Sequence, residues 1–425
     1  MKRGVCRTFI EKKLGRHSLL YIKKQYLCRI MRSLHFLYLV LLVFFTVAVQ
    51  SRAESVKGNS VVVSLITCHP GDLTYELYGH SALRVTDLTK GTDYVYNYGI
   101  FDFESDNFVL RFILGKTDYM LGVTMYPYFH YAYATQGRRM DEQVLNLTPT
   151  EALRLQALLD ENARPENRVY RYNFLEDNCV TRAVDMVAKA VDGNVTFPEA
   201  QQGKTFRALV KEYTERNPWD YFVQNVLLGM EVDTLIGVRG QLFAPLYAER
   251  LVAGATITDT AGVERPLVAK TTQLTADQTQ FAPHPLSPQV IFGALLVLAV
   301  VLVVLLRLGW RKTFYAVETP LLLVQGLAGC IIFTLCFFSE HPAVDNNWNL
   351  LLLNPLPLLA IPYQWWTVSK GHRNYYPFVQ LTLLAAYAFG VGMLHAQGVV
   401  GAVWLVVAVL AVLNFGKLVA YRNSR

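Results

Sequence analysis

Two hydrophobic patterns divide the chain. At positions 36–49, and again beyond residue 290, apolar residues run almost unbroken, whereas between them they alternate with polar ones as in a water-soluble domain. The last third resolves into five apolar segments, at 290–308, 320–338, 348–367, 378–395 and 399–419. Lys and Arg occupy alternate connections: Arg307, Arg311 and Lys312, then Lys370 and Arg373, then Lys417, Arg422 and Arg425. That bias puts these connections on the cytoplasmic side. The loops around 340–347 and 396–398 hold neither residue type and belong outside.

The third segment is interrupted by Asn354, Pro355, Pro357 and Pro362. Breaks of this kind survive in lipid only where a neighbouring helix or a cavity satisfies the freed backbone groups, so a broken or re-entrant helix is expected. The outside loop before it, HPAVDNNWN, begins at His341. His341, Asn349 and Asn354 are candidates to line a ligand path at the membrane face, or equally to cap helix ends.

In the middle of the chain, residues 61–66, 81–85, 94–98 and 143–147 have strand character. The stretch TPTEALRLQALLDEN reads as a helix with Thr148 as cap, Pro149 in the first turn and Glu151 completing a capping box. A strand-like RVYRYNF then leads into DNCVTRAVDMVAKAV, whose Val180, Ala183, Val184, Val187 and Val191 follow helical spacing. Asp177 and Asn178 are natural caps there, which places Cys179 in the first helical turn. The polar stretch 270–289, with Pro283, Pro285 and Pro288, reads as a linker. The expected organisation is therefore a leader and signal at 1–53, an exported domain at 54–269, a linker at 270–289 and a membrane unit at 290–425.

Composition alters this picture in two ways. The hydrophobic fraction of 52% is too high for a pair of soluble domains and is accounted for by the apolar ends. The formal charge of +7 invites a nucleic-acid reading, but nine Lys and Arg against Glu11 place +8 before residue 31 and leave −1 for the rest. No basic patch for a phosphate backbone is indicated, so nucleic acid is excluded as a partner. The sequence from Met31 has a basic start, a short apolar run and small residues at Ser51 and Ala53, the layout of a secretory signal, with Met31 as the expected start and an uncleaved anchor helix as the alternative.

Of six cysteines, Cys6 and Cys28 fall in the leader and Cys330 and Cys336 in an apolar segment. Cys68 and Cys179 remain in the exported domain, where an oxidising compartment would allow them to pair. Against pairing, a thiol at a helix N-terminus feels the positive end of the helix dipole and is activated as a nucleophile. It needs a base, and His80, at the start of the strand in YGHSALRV, is placed to supply one. GHSA is a poor serine elbow because Leu83 replaces the closing glycine, and Cys68, His69 and His80 have no metal-ligand spacing. An inert cysteine beside a buried histidine stays open as the alternative.

A strand histidine followed about a hundred residues later by Asn-Cys at a helix start resembles the circularly permuted papain-like proteins, of which lecithin retinol acyltransferase is one. More closely, SLITCHPGDLTYELYGHSALRV, YNYGIFDF, FILGKTDYMLGV and NFLEDNCVTR, with HPAVDNNWNLLLLNPL in the tail, resemble the Lnb family of lipoprotein N-acyltransferases from Bacteroides-like bacteria. The match spans roughly 61–245 and the helical tail.

The resemblance implies an α+β fold: a circularly permuted papain-like exported domain followed by an all-α membrane domain of about five transmembrane helices. It implies a multi-pass protein of the cytoplasmic membrane, its catalytic domain periplasmic. A fatty acyl chain would pass from a membrane phospholipid, through a Cys179 thioester assisted by His80, to the α-amino group of a diacylated lipoprotein, with membrane lipids as surroundings and no cofactor or metal. The third, orienting residue would be Asn97 first and Asp102 second, with backbone N–H groups of the Cys179 turn facing the oxyanion. Cys68, Asn178 and Arg84 are further site-lining candidates, Arg84 pairing with a lipid phosphate or with Asp87. The aromatic stretch of Phe108, Phe112, Tyr119, Tyr126, Tyr128 and Phe129 is expected mainly as core, with contact of part of it to acyl chains or the membrane interface as the alternative. The competing functions are a membrane-tethered cysteine peptidase or amidase acting on cell-wall peptides, and a non-catalytic scaffold.

Overall fold

The structure, a computed structural model, describes residues 61–282 and 284–422. The signal sequence, the Met31 start, Cys6 and Cys28 lie outside the described residues.

The exported region is built on strands β1 (Val61–Cys68), β2 (His80–Asp87), β3 (Thr92–Ile100), β4 (Asp118–Met125), β5 (Met140–Leu145), β6 (Val169–Arg171) and β7 (Val268–Thr275). They form one sheet in the order β7-β5-β1-β2-β3-β4-β6, antiparallel throughout. A smaller three-stranded sheet joins Asn194–Thr196, Thr256–Thr258 and Glu264–Pro266. Among the helices are α1 (Phe108–Ile113), α2 (Tyr126–Thr135), α3 (Pro149–Asn162), α4 (Cys179–Ala190), α5 (Phe206–Thr214), α6 (Pro218–Leu227) and α7 (Pro245–Ala253). Sheet and helices together make an α+β domain.

Both faces of the sheet are covered. On one, Leu65, Leu83, Val85, Tyr96 and Tyr98 pack against Leu155 and Leu159 of α3 and Val180, Ala183 and Val187 of α4. On the other, Ile66, Cys68, Ala82, Val95 and Met140 pack against Phe129 of α2. Period-2 alternation assigns each strand residue to one face or the other, and burial of these side chains holds the layers together. The capping box of α3 forms as its sequence requires, Thr148 with Glu151. One expected boundary is wrong: the linker does not begin at Lys270, because residues up to Thr275 form β7 beside β5. As an edge strand with little buried surface β7 tolerates Lys, Thr and Gln, and its polarity concealed it.

The tail contains α8 (Pro288–Arg307), α9 (Arg311–Phe338), α10 (Asn349–Leu352), α11 (Leu356–Lys370), α12 (Tyr376–Tyr387), extended by one π turn to Met393, and α13 (Gly401–Arg422). Among the described residues, four helices are long and apolar enough to span a bilayer: Pro288–Arg307, Arg311–Phe338, Tyr376–Met393 and Gly401–Ala420. The remaining expected span is split between α10 and α11. At the break Asn354 Nδ2 donates to the Leu351 carbonyl and Asn354 Oδ1 accepts from the Leu356 N–H. The break presses against α9 at Gly329, where a Cβ would lie 2.2 Å from the Asn354 carbonyl carbon. Only glycine permits that approach. Asn354 is thus a backbone cap, not a pocket residue.

Both loops expected outside touch the exported domain. Arg171 pairs with Glu340 at 3.0 Å, Asn347 Nδ2 donates to the Val226 carbonyl at 2.9 Å, and Gln397 Nε2 donates to the Leu228 carbonyl at 3.1 Å. The ends of α9 and of the π turn therefore share one side of the bundle, and the α10–α11 segment must lead to the other. Asn349 belongs to this seam: it is fully buried, donates to the Val226 carbonyl and accepts from the Tyr387 hydroxyl, so it joins the two parts rather than lining a ligand path.

Candidate active site

The placement of Cys179 begins with its neighbour. Asn178 caps α4, its Oδ1 accepting from Val180 N and Thr181 N, while the Thr181 hydroxyl accepts from the Asn178 N–H at 2.8 Å. Asn178 Nδ2 donates to the Phe174 and Phe243 carbonyls at 3.0 and 2.8 Å. Its amide is fully engaged, so Asn178 fixes the helix start and has no donor left for a ligand. The Cys179 N–H stands outside the cap.

His80 opens β2 opposite Cys68 of β1. Gly79 before it has φ +79°, and a Cβ there would lie 2.5 Å from the Cys68 carbonyl oxygen. The glycine in YGHS is thus what lets the chain turn tightly into β2 with His80 at its first position. His80 Nε2 meets Asn97 Oδ1 at 2.5 Å, and the imidazole also hydrogen-bonds the Cys179 thiol. A carboxamide oxygen only accepts, so Nε2 carries the proton and Nδ1 is the nitrogen available to sulfur. Beyond Asn97, β3 breaks register at Gly99, which has φ +92° and faces Cys179: a Cβ there would sit 3.6 Å from that residue's Cβ.

Charge is arranged to favour an ion pair. Burial pushes the Cys179 thiol up, but the His80 charge, its hydrogen bond, and the Ser81 and Val180 N–H groups at the sulfur outweigh it and leave the thiol below its usual range. Burial pulls His80 down; the neighbouring thiolate and the imidazole's hydrogen bonds to Cys179 and to Asn97 reverse this and hold the imidazole above its ordinary value. Both directions stabilise thiolate with imidazolium.

These groups open on a cavity of about 890 Å³. His80, Asn97, Gly99 and Cys179 line one part of it, and Phe112, Tyr119, Tyr128, Phe129 and Tyr133 another. Ile331 and Leu335 of α9, and His341, Pro342 and Val344 of the following loop, complete the wall from the membrane side. The volume lies in the range of pockets that enclose a sizeable ligand. His341 is therefore a lining residue; its Nε2 donates to the Phe112 carbonyl at 2.5 Å, and burial holds its imidazole below the ordinary value.

Other expectations fail here. Asp102 is exposed and accepts from the Glu104 N–H in a surface turn, away from His80, because the bulge after Asn97 sends the chain off the sheet. Arg84 pairs with Asp93 at 2.7 Å and Glu142 at 3.0 Å and stacks on Tyr126; Asp87 instead holds the Thr89 and Lys90 N–H groups. Cys68 is a free thiol, as is Cys179, and it is sealed in the core, where burial drives its ionisation far up. His69 is turned to Asp141 at 2.8 Å, and Arg139 takes the same carboxylate oxygen at 2.8 Å. The aromatic stretch is mostly not core: Phe129 is buried, Tyr126 serves Arg84, Phe112, Tyr119 and Tyr128 face the cavity, and Phe108 joins a half-exposed cluster with Phe101 and Phe103. Arg138 and Tyr172 also line the cavity, and no local sequence signal marks either.

Fold and site together define an exported α+β domain carrying Cys, His and Asn, seated on a multi-pass membrane unit. The Lnb N-terminal periplasmic domain model matches residues 49–213 and the Lnb transmembrane domain model residues 278–424. The chain belongs to the Lnb family, membrane proteins with a periplasmic domain that take part in lipoprotein modification. Comparison with curated proteins and with solved structures returns no match.

Proposed function

We propose that this protein is a lipoprotein N-acyltransferase of the cytoplasmic membrane. It moves a fatty acyl chain from a phospholipid to the α-amino group of a diacylated lipoprotein. The observation that carries this reading is the joining of the Cys179–His80–Asn97 group to a largely aromatic and aliphatic cavity walled in part by membrane helix α9. A largely apolar cavity walled in part by a membrane helix suits an acyl ester, and a cell-wall peptide would leave its polar backbone unpartnered there.

Cys179 thiolate attacks the ester carbonyl, forming the S–C bond. The developing oxyanion is met by the Cys179 N–H. As the C–O bond breaks, His80 Nδ1 gives its proton to the departing lysophospholipid alcohol. The acceptor amine then attacks the thioester carbonyl, His80 removes its proton, the C–S bond breaks and the thiolate is restored with an amide as product. Asn97 holds Nε2–H throughout, so that Nδ1 keeps facing the sulfur.

The test is mass spectrometry of cellular lipoproteins in a strain dependent on this chain. Cys179→Ala is expected to leave them without the N-linked acyl chain; unchanged lipoproteins would overturn the proposal.

A further inference from the structure

Helix α1 is apolar on nearly every side. In its sequence FVLRFI only Arg111 is polar, and none of its residues is buried. Val109 is 69% and Leu110 56% exposed. Phe112 stacks on Phe108, and Phe108 meets the rings of Phe101 and Phe103, so the apolar surface continues into the loop after β3. A contiguous patch of this kind marks a contact with lipid or with another protein.

What covers it follows from where α1 is fastened. Ser339 Oγ donates to the Ile113 carbonyl at 2.8 Å, and the Glu340 N–H to the Leu114 carbonyl at 2.9 Å. Gly115, with φ +68°, lets the two backbones meet, since a Cβ there would lie 2.5 Å from the His341 nitrogen. The end of α1 is therefore tied to the residues that directly follow the last turn of α9. In that turn Phe337 and Phe338 are each 62% exposed, on a helix long and apolar enough to span the bilayer, so these rings belong in lipid. The exposed face of α1 is continuous with that surface. The charges around it are paired within the protein: Arg111 with Asp118 at 3.1 Å, and Lys116 and Arg171 with Glu340 at 3.5 and 3.0 Å.

We infer that α1 and the aromatic loop before it are seated in the periplasmic leaflet of the membrane. The partner is the lipid surface itself, which takes up Phe and Leu side chains at its interface. Phe112 and Ile113 of the same helix line the large cavity together with Ile331 and Leu335 of α9. Helix α1 thus has lipid on one side and the cavity on the other, and the acyl donor enters past it from the leaflet rather than from water. This route rests on the acyltransferase reading; the seating of α1 does not.

The experiment uses the full-length protein reconstituted in phosphatidylcholine vesicles with a trace of phosphatidylcholine carrying a diazirine on its acyl chain. After illumination, labelled peptides are mapped by mass spectrometry. Residues 108–113 are expected to take label comparable to 331–338 of α9, and at least about tenfold more than the turn holding Val263, which is 61% exposed between two strands of the small sheet. Label in α1 no greater than at Val263 overturns the inference and assigns the patch to a protein partner. The double variant Val109→Glu with Leu110→Glu alters exposed side chains outside the cavity wall, so its melting temperature in detergent should match the parent's. It should lower the label in α1 and slow acyl transfer from a vesicle phospholipid about tenfold, while transfer from a water-soluble butyryl ester stays within about twofold. Equal slowing with both donors overturns the lipid route. A parent protein that transfers no acyl chain from either donor refutes the acyltransferase reading alone, because the label in α1 is read without turnover and still decides its seating.

Discussion

The two thiols of the exported domain are both buried, and they are chemically opposite. Cys68 ends β1 among Ile66, Ala82 and Met140; Cys179 begins α4 beside His80. Burial drives both thiols toward the neutral form, and at Cys68 the Arg138 charge and the Tyr133 hydrogen bond oppose it without overcoming it. At Cys179 a single imidazole and two backbone N–H groups do overcome it. A reactive cysteine is made where the groups facing the sulfur outweigh the exclusion of water, and an inert one where they do not.

The sharpest way to break this contrast is to remove each thiol in turn. Cys179→Ala should lower acyl transfer by about three orders of magnitude or more, whereas Cys68→Ala should leave the rate within about twofold and cost about 1 kcal/mol in denaturant unfolding. Equal losses from the two would show that the contrast is false.

The next largest effect belongs to His80. His80→Ala should reduce turnover by about 10²–10⁴. Its sign is visible in the pH dependence of alkylation: with its ionisation lowered, Cys179 keeps reacting with iodoacetamide as pH falls below the ordinary thiol range, and without His80 the profile should move up toward that range. An unmoved profile would assign the activation elsewhere.

Asn97→Ala should cost about tenfold to a hundredfold in rate with little change in stability, since it leaves the imidazole free to turn. Asn97→Asp, which still accepts from Nε2–H, should recover part of that loss; a role in packing alone would not distinguish the two. Smallest is Asn178→Ala, expected to cost about 0.5–2 kcal/mol in unfolding free energy through loss of the cap, with activity falling only as the helix start loosens.

What the sequence disclosed follows the range of the interactions. The α4 start was legible because Asn178, Cys179 and Thr181 lie within four residues and capping is local. The choice between Asn97 and Asp102 was not legible, because it depends on a bulge after Asn97 that only the pairing of β3 with β4 creates. Arg84 was expected to pair with a lipid phosphate or with Asp87, yet residues three apart on a strand point to opposite faces, and its partners Asp93 and Glu142 come from neighbouring strands. The aromatic stretch looked like core because apolar residues facing a cavity and those facing a core share one composition. The cavity itself depends on Ile331 and Leu335 reaching the exported domain from α9, a meeting that no local pattern encodes.

The most direct measurement of the central claim is the intact mass of the purified full-length protein after incubation with a defined phosphatidylethanolamine and no acceptor. The account predicts an added acyl group on Cys179 that hydroxylamine removes and that is absent in both Cys179→Ala and His80→Ala. Acylation that persists in Cys179→Ala, or that maps to Cys68, would contradict it.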